Sequence, residues 1–305
     1  MIKNLTVSIT DRCNGKCLFC NISRNFKNEL TTEQFSRLLD NPLFSQIETL
    51  SLSGGEMFLH ADIAQILMMS CCKPKNLQRL FVNTNGLLDP KRIAELLLQI
   101  PQRIQCIVSI SYEGGPEENK AIRGYDNSDH IAELAAMLQG VPNISISLSM
   151  TLCAVNCSRK SLDGTKTFAQ KLSCDFSFRF SEVSDMYYKN KDYSFVPTSK
   201  QVCDVIDFIN ENCQDNLFLK KYAEYLQTGK VSYGGNPRAC IAGSVLAFVN
   251  ADGNIYPCIY AQKAIGRISS PVLQPVVPFE HCQACYTDCT AWPMIEYYEL
   301  GAHQQ

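Results

Sequence analysis

The sequence predicts an α/β fold: a partial (β/α)6 barrel, TIM-like, followed by a small cysteine-rich β-hairpin-plus-helix domain. Three observations predict it. Six short strand-like runs, at 5–9, 47–52, 79–83, 106–111, 144–150 and 175–180, are separated by segments with helical spacing of apolar residues. The alternation stops at residue 180, short of the roughly 250 residues that a full eight-unit barrel takes. Beyond it the composition changes, first to a polar and aromatic loop over 186–197, then to a tail with a second set of cysteines.

The helices announce themselves by their caps. Thr31-Thr32-Glu33-Gln34 is a capping-box start, with Phe35, Leu38 and Leu39 on the apolar face. Asp89-Pro90 opens a helix with a cap and a first-turn proline, and Ile93, Leu96, Leu97 and Ile100 line it. Ser128 is placed to cap a third, with Ile131, Leu134, Ala135 and Leu138 inward and Gly140 as its stop. Another runs over 160–171. Ser199 is placed to cap one whose apolar side is Val202, Val205, Ile206 and Ile209. A further helix and a glycine-rich link occupy 215–235, which divides the chain into domains at 1–215 and 216–305. In the tail, 244–249 reads as a strand, 250–254 as a turn, and Ile255-Tyr256 as the return strand.

Lys+Arg 28 against Asp+Glu 30 leaves a net charge of −2, which argues against a dedicated nucleic-acid or anionic-membrane surface. Met1-Ile2-Lys3-Asn4 leads straight into a strand, with no signal peptide or membrane span, so a cytoplasmic location is expected. Thiols stay reduced there, and the 16 cysteines point to metal clusters and buried apolar thiols rather than disulfides.

The chemistry centres on Cys13-Asn14-Gly15-Lys16-Cys17-Leu18-Phe19-Cys20, a C-x3-C-x2-C triplet directly after the first strand. Three thiolates at that spacing suit three irons of a [4Fe–4S] cube. The next cysteine is Cys71, so one iron keeps an open position, as a catalytic zinc does for its substrate. Zinc is the alternative for the triplet, but it wants four ligands. Ser53-Gly54-Gly55-Glu56 follows the second strand, Asn83-Thr84-Asn85-Gly86 the third, and Ser109 and Ser111 end the fourth.

The triplet and the Gly-Gly-Glu that follows it resemble the radical SAM superfamily. The Asn-containing turn and Ala121-Ile122-Arg123-Gly124 are similar to that family's TNG and IRG segments. The resemblance implies that Cys13, Cys17 and Cys20 hold a [4Fe–4S] cluster whose open iron chelates S-adenosylmethionine (SAM). It places Phe19 beside the adenine and the Ser53-Gly54-Gly55-Glu56 backbone at the methionyl amino group. It makes Asn83, Asn85, Ser109 and Arg123 candidates for holding the cofactor, Arg123 through the SAM carboxylate. Glycine at 54 and 55 suits a backbone that approaches a ligand or turns with positive φ. Glu56 either accepts from the methionyl ammonium or orients its loop. Arg179, on the sixth strand, reaches either the SAM or substrate cavity or the solvated strand end.

Cys240, Cys258, Cys282, Cys285 and Cys289 resemble the auxiliary-cluster domain of this superfamily, in its short Twitch rather than its longer SPASM form. That implies one auxiliary [4Fe–4S] cluster, with Cys240 and Cys258 the surest ligands and the choice among Cys282, Cys285 and Cys289 open. A structural zinc could use the same hairpin and C-x2-C pair. The other cysteines read as buried packing residues, although an epimerase of this layout would use one as a hydrogen-atom donor. The resemblance implies reductive cleavage of SAM, an electron donor such as flavodoxin or ferredoxin, and hydrogen abstraction from a peptide or a small molecule. Modification of a ribosomally made peptide comes first, although no leader-binding domain precedes Leu5. Dehydrogenation or rearrangement of an aminoglycoside or sugar alcohol comes second.

Overall fold

A computed structural model describes residues 1–25, 28–181, 183, 188–229, 241–270, 293 and 295. All six expected core strands form: β1 (Asn4–Ser8), β2 (Thr49–Ser53), β3 (Arg79–Thr84), β4 (Gln105–Ser111), β5 (Ile144–Leu152) and β6 (Asp175–Phe180). Each pairs in parallel with the next, giving the order expected when every crossover carries a helix. Those helices are α1 (Thr32–Asp40), α2 (Ile63–Cys72), α3 (Pro90–Leu97), α4 (Pro116–Arg123), α5 (Ser128–Leu138) and α6 (Arg159–Leu172). The parallel strands with helices on one face form the partial TIM-like α/β barrel that the sequence predicts.

Alternation along the strands decides which side is which. Leu5, Val7 and Ile9, Leu50 and Leu52, Leu80 and Val82, and Val108 and Ile110 pack with Phe35 and Leu38 of α1, Ile66 of α2, Ile93 of α3 and Leu134 of α5 in one apolar core. Each such buried side chain contributes about 1.5–3 kcal/mol. The alternate residues form the inner face, which is rich in hydroxyls: Thr6 and Ser8, Thr49, Ser51 and Ser53, Ser109 and Ser111, Ser147, Ser149 and Thr151, and Ser177. Ser109, Ser111, Ser147, Ser149 and Ser177 are part-exposed, so this wall is open to water, unlike the packed centre of a full barrel.

Beyond β6, α7 (Ser199–Asn212) packs against α8 (Leu217–Thr228), joining Phe178 and Phe208 to Phe218 and Tyr222 in a second apolar cluster. The tail hairpin, β7 (Leu246–Val249) and β8 (Asn254–Tyr256), extends through β9 (Gly266–Arg267). β7 pairs in parallel with β1, so the core and the hairpin share one nine-stranded sheet, β6-β5-β4-β3-β2-β1-β7-β8-β9. No helix of the described residues is long and apolar enough to cross a membrane.

Two caps differ from expectation. Asn127, not Ser128, occupies the N-cap of α5, and its amide is used elsewhere, donating to Asn85 O at 2.7 Å and Ser111 O at 2.8 Å. Thr198, not Ser199, caps α7 and forms a capping box with Gln201. Helices α2 and α4 fall where helices between the strands are expected, but the sequence marks neither with a cap or a defined apolar face. The first is apolar nearly all round and the second short and charged, so neither carries a clean helical stripe. Cys72 and Cys203 are exposed, against the expectation of buried packing thiols.

Candidate active site

The cysteine loop leaves β1 at the carboxyl end of the sheet, and four other loops hold it. Gly55 N donates to Thr10 O at 2.7 Å and Glu56 N to Arg12 O at 2.7 Å, which seats the Gly-Gly-Glu turn after β2 directly on the loop. A Cβ on Gly55 would lie 2.3 Å from Arg12 O, and one on Gly54, where φ is +151°, 2.5 Å from Thr10 O. Both glycines are therefore demanded by contact between the two loops themselves. With the N–H groups of Gly55 and Glu56 spent on the cysteine loop, this turn has carbonyl oxygens left to offer an ammonium.

The loop after β3 comes next. Asn85 is buried; its amide donates to Asn14 Oδ1 at 2.7 Å and lies 3.8 Å from Cys13 Sγ. Glu56 is fully buried. Its carboxylate accepts from Asn85 N at 2.7 Å, Phe58 N at 3.2 Å and Thr84 Oγ1 at 3.0 Å. Of the two roles open to Glu56, these bonds favour orienting the loops: one carboxylate locks the turn after β2 to the turn after β3. Burial pushes its carboxyl up to about 7, against these same donors.

Helix α4 supplies the third clamp. Its last carbonyls have no helical partner; Ile122 O accepts from Leu18 N at 2.8 Å and Arg123 O from Lys16 N at 3.4 Å. Gly124 closes the helix in the left-handed region at φ +83°. The fourth clamp comes from the segment after β6: Tyr188 O accepts from Asn21 N at 2.8 Å, and Lys189 Nζ donates to the buried Asp11 at 2.8 Å.

These clamps set the surroundings of the thiols. Cys13, Cys17 and Cys20 are half-buried. Burial raises all three thiols, Cys13 to about 11 and Cys20 to about 12. Specific donors counter it: Gly15 N reaches Cys13 Sγ at 3.4 Å, and Arg123 Nη1 reaches Cys17 Sγ at 3.6 Å. Phe19 is buried, edge-on to Tyr188 with centroids 5.5 Å apart. Arg179 Nη2 donates to the Tyr188 hydroxyl at 2.8 Å, so Arg179 reaches toward Phe19 through Tyr188. Among the described residues, no three Cys, His, Asp or Glu side chains gather around one point as a single ion requires. A cube asks something else of its thiolates, which bind separate irons.

The sequence-derived residues thus divide. Cys13, Cys17, Cys20, Phe19, Gly54, Gly55, Glu56, Asn85 and Arg123 come together at the carboxyl ends of the strands. Ser53 lies beside them, its carbonyl accepting from Ile9 N at 3.0 Å. Asn83 sits deeper, its amide bound to Ser51 Oγ at 3.1 Å and Leu52 O at 3.0 Å, and Ser109 is on the open inner wall. Cys258 is buried in the second apolar cluster. Cys240, Cys282, Cys285 and Cys289 lie outside the described residues.

Four residues were missed: Glu113, which pairs with Arg123; Asn127; Tyr188; and Asp11. Glu113 stands just past the end of β4, the kind of position that picked out the other motifs, and was legible on that ground. Tyr188 and Asp11 act through a clasp between distant parts of the chain that no local pattern signals.

Residues 7–153 match the family model described as the Radical SAM superfamily. AlbA, the "antilisterial bacteriocin subtilosin biosynthesis protein" of Bacillus subtilis, is 33% identical over 126 residues, 40% of this chain and 27% of AlbA. The GTP 3',8-cyclase of Aquifex aeolicus is 23% identical over 294 residues, 86% of this chain and 83% of the cyclase. The first three curated relatives are matched over only 27%, 43% and 58% of their own lengths. Among solved structures, Streptococcus suis SuiB bound to S-adenosylmethionine superposes with a TM-score of 0.65 at 18% identity, covering 97% of this chain and 67% of SuiB.

The family implies a [4Fe–4S] cluster and SAM, and the residues present fit both. Three thiols share one clamped loop, and N–H donors point at two of the sulfurs. At the end of β6, Ser181 is 4% exposed and its buried hydroxyl has no hydrogen-bond partner among the described residues, a polar group left for a bound molecule to satisfy. Ser181 N bonds to Leu152 O at 2.7 Å, and the next residue, Cys153, packs against Phe19. On the match and this geometry together, residues 7–153 form a radical SAM superfamily domain.

Proposed function

We propose that this chain is a radical SAM enzyme that modifies a ribosomally made peptide by oxidation, cross-linking or epimerisation. Cys13, Cys17 and Cys20 hold its SAM-binding cluster. When bound, that cluster supplies the electron that splits SAM into methionine and a 5′-deoxyadenosyl radical able to take a hydrogen atom from an unactivated C–H bond. The chain's part is to hold and orient. The turn of Gly54 and Gly55 offers carbonyls to the methionyl ammonium, and Phe19 and Ser181 border the adenosyl end. The hydroxyl-lined wall of Ser109, Ser111, Ser147, Ser149 and Ser177 receives a polar substrate. Cys258 would be one ligand of a single auxiliary cluster, which would supply an acceptor for the electron left after a two-electron oxidation. It belongs to the 216–305 unit, and 1–215 is the catalytic core. A flavodoxin or ferredoxin supplies the reducing electron.

The observation that carries the reading is the cysteine loop, clamped by four other loops at the carboxyl ends of a parallel sheet. The peptide assignment draws support from the 33% identity with AlbA over 126 residues. The experiment is anaerobic incubation of reconstituted protein with SAM and dithionite. Release of 5′-deoxyadenosine supports the enzyme, and intact SAM reduces it to an iron–sulfur scaffold.

A second reading has its own support. The A. aeolicus cyclase aligns across 86% of this chain, whereas AlbA aligns over 40% of it. A small polar metabolite, such as a nucleotide, an aminoglycoside or a sugar alcohol, suits the hydroxyl wall equally. A short peptide gene beside the coding sequence, whose product changes mass on incubation or takes up deuterium from D2O, decides for the first reading. A mass change in GTP or in an aminoglycoside decides for the second.

A further inference from the structure

Arg123 is an arginine with almost no freedom. It is 6% exposed, and each nitrogen of its guanidinium has a partner within the chain. Nε donates to Glu113 Oε1 at 2.6 Å, and Nη2 pairs with the same oxygen. The flat face lies 5.5 Å from the Phe19 ring centroid. Nη1 donates to Cys17 Sγ at 3.6 Å. Glu113 is itself immobilised: it is fully buried, and its other oxygen accepts from Thr151 N at 2.9 Å and Asn156 Nδ2 at 3.1 Å. The ends of β4 and β5 thus grip the carboxylate, the carboxylate grips the guanidinium, and the guanidinium faces the middle cysteine of the triplet.

A buried ion pair is poor evidence for stability by itself, since apolar packing does as well or better. This pair is asymmetric, however, with its positive end toward the sulfur. Hydrogen bonds to ligand sulfurs and local charge set the potential of an iron–sulfur cluster, because reduction adds negative charge that spreads onto the thiolates. A donor fixed before the electron arrives stabilises the reduced state more than the oxidised one.

We infer that Arg123, held by Glu113, is a positioning residue that raises the reduction potential of the cluster through the Cys17 thiolate, rather than a partner of the SAM carboxylate. This rests on the proposed placement of the cluster on Cys13, Cys17 and Cys20. Arg123 makes the cluster easier to reduce before SAM binds.

The test compares the reconstituted full chain with its Arg123→Gln and Arg123→Lys variants by EPR-monitored redox titration without SAM. The signal that SAM addition perturbs identifies the relevant cluster. Arg123→Gln is expected to disfavour reduction at least tenfold, about 59 mV more negative for one electron. Arg123→Lys keeps the charge and recovers part of the shift. Where Arg123→Gln fails to take up iron, Glu113→Asp serves instead: it draws the guanidinium away from Cys17 and shifts the potential in the same direction by less. An unchanged potential with weakened SAM binding overturns the inference and returns Arg123 to the carboxylate. A wild-type chain with no SAM-perturbed cluster removes the proposed function itself, which iron analysis reports separately.

Discussion

The cysteine loop and the stretch around Cys258 hang on one sheet but are built differently. Around Cys13, Cys17 and Cys20, backbone bonds arrive from the turn after β2, from the end of α4 and from Tyr188, and Asn85 adds its side chain. Around Cys258 the framework is apolar, with Tyr256, Ile259 and Ala261 in one cluster and β7 laid alongside β1. The first region is held by directional bonds from several strand ends, so its geometry depends on many residues at once. The second takes its position from strand pairing and packing. Damage near the first should therefore stop radical formation, whereas damage near the second should spare it.

The largest expected effect tests that contrast directly. Cys17→Ala should abolish 5′-deoxyadenosine release, a loss beyond the roughly 10–100-fold that removing a partner of a metal ligand costs. Cys258→Ala should leave release near wild type while product formation fails. Reconstituted wild-type protein should carry about eight irons per chain and Cys258→Ala about four. Equal loss of SAM cleavage in both variants would break the comparison.

This contrast was only partly legible in the sequence. The strands of the core and four of its helices stood out because alternation, apolar spacing, capping boxes and Asp-Pro starts are local signals. The triplet and Gly54-Gly55-Glu56 stood out because spacing carries chemistry. The parallel joining of β7 to β1 was hidden, since a two-stranded hairpin reads the same whether it stands alone or extends a sheet. The tasks of Glu56 and Arg123 were hidden for a related reason. Each is a charged residue beside a motif, and only burial reveals that its partners are other loops of the chain. The glycines had a correct physical reason and a different object: the surface that forbids a side chain is the Thr10–Cys13 backbone.

That last point yields a sharper test. Gly55→Ala places a methyl group against Arg12 O and Cys13 Cβ, both backbone-linked atoms that cannot swing aside. Overpacking of this kind costs about 1–3 kcal/mol. Chemical denaturation of the apo-protein should show that loss, and iron uptake by the triplet should fall with it. Unchanged stability together with lost SAM binding would mean that the glycine serves the ligand instead.

Glu56 gives a pH signature for the same junction. Its carboxyl rises from an ordinary 4.5 to about 7 through burial, so the folded chain holds that proton more tightly than the unfolded chain. The folded state then binds more protons between these values, and stability linked to Glu56 is full below about 4.5 and declines as the pH rises toward 7. Glu56→Gln should remove that decline from the apo-protein's unfolding midpoint between pH 4.5 and 7, whatever it does to the absolute value. A slope unchanged by the substitution would assign the dependence to other groups.

The smallest effect belongs to the hairpin. Gly253 sits in the β7–β8 turn at φ +80°, where an added Cβ meets nothing nearer than Ile268 Cδ1 at 3.8 Å. Alanine there has room, and its cost is the left-handed backbone alone, about 1–2 kcal/mol. Gly253→Asn should recover part of that, because asparagine visits this region more readily. Both variants should release 5′-deoxyadenosine at the wild-type rate. If Gly253→Ala slowed SAM cleavage as Gly55→Ala is expected to, strain in the hairpin would be reaching the cysteine loop through β7 and β1. The two regions would then be one mechanical unit, and the different frameworks around their cysteines would not separate their chemistry.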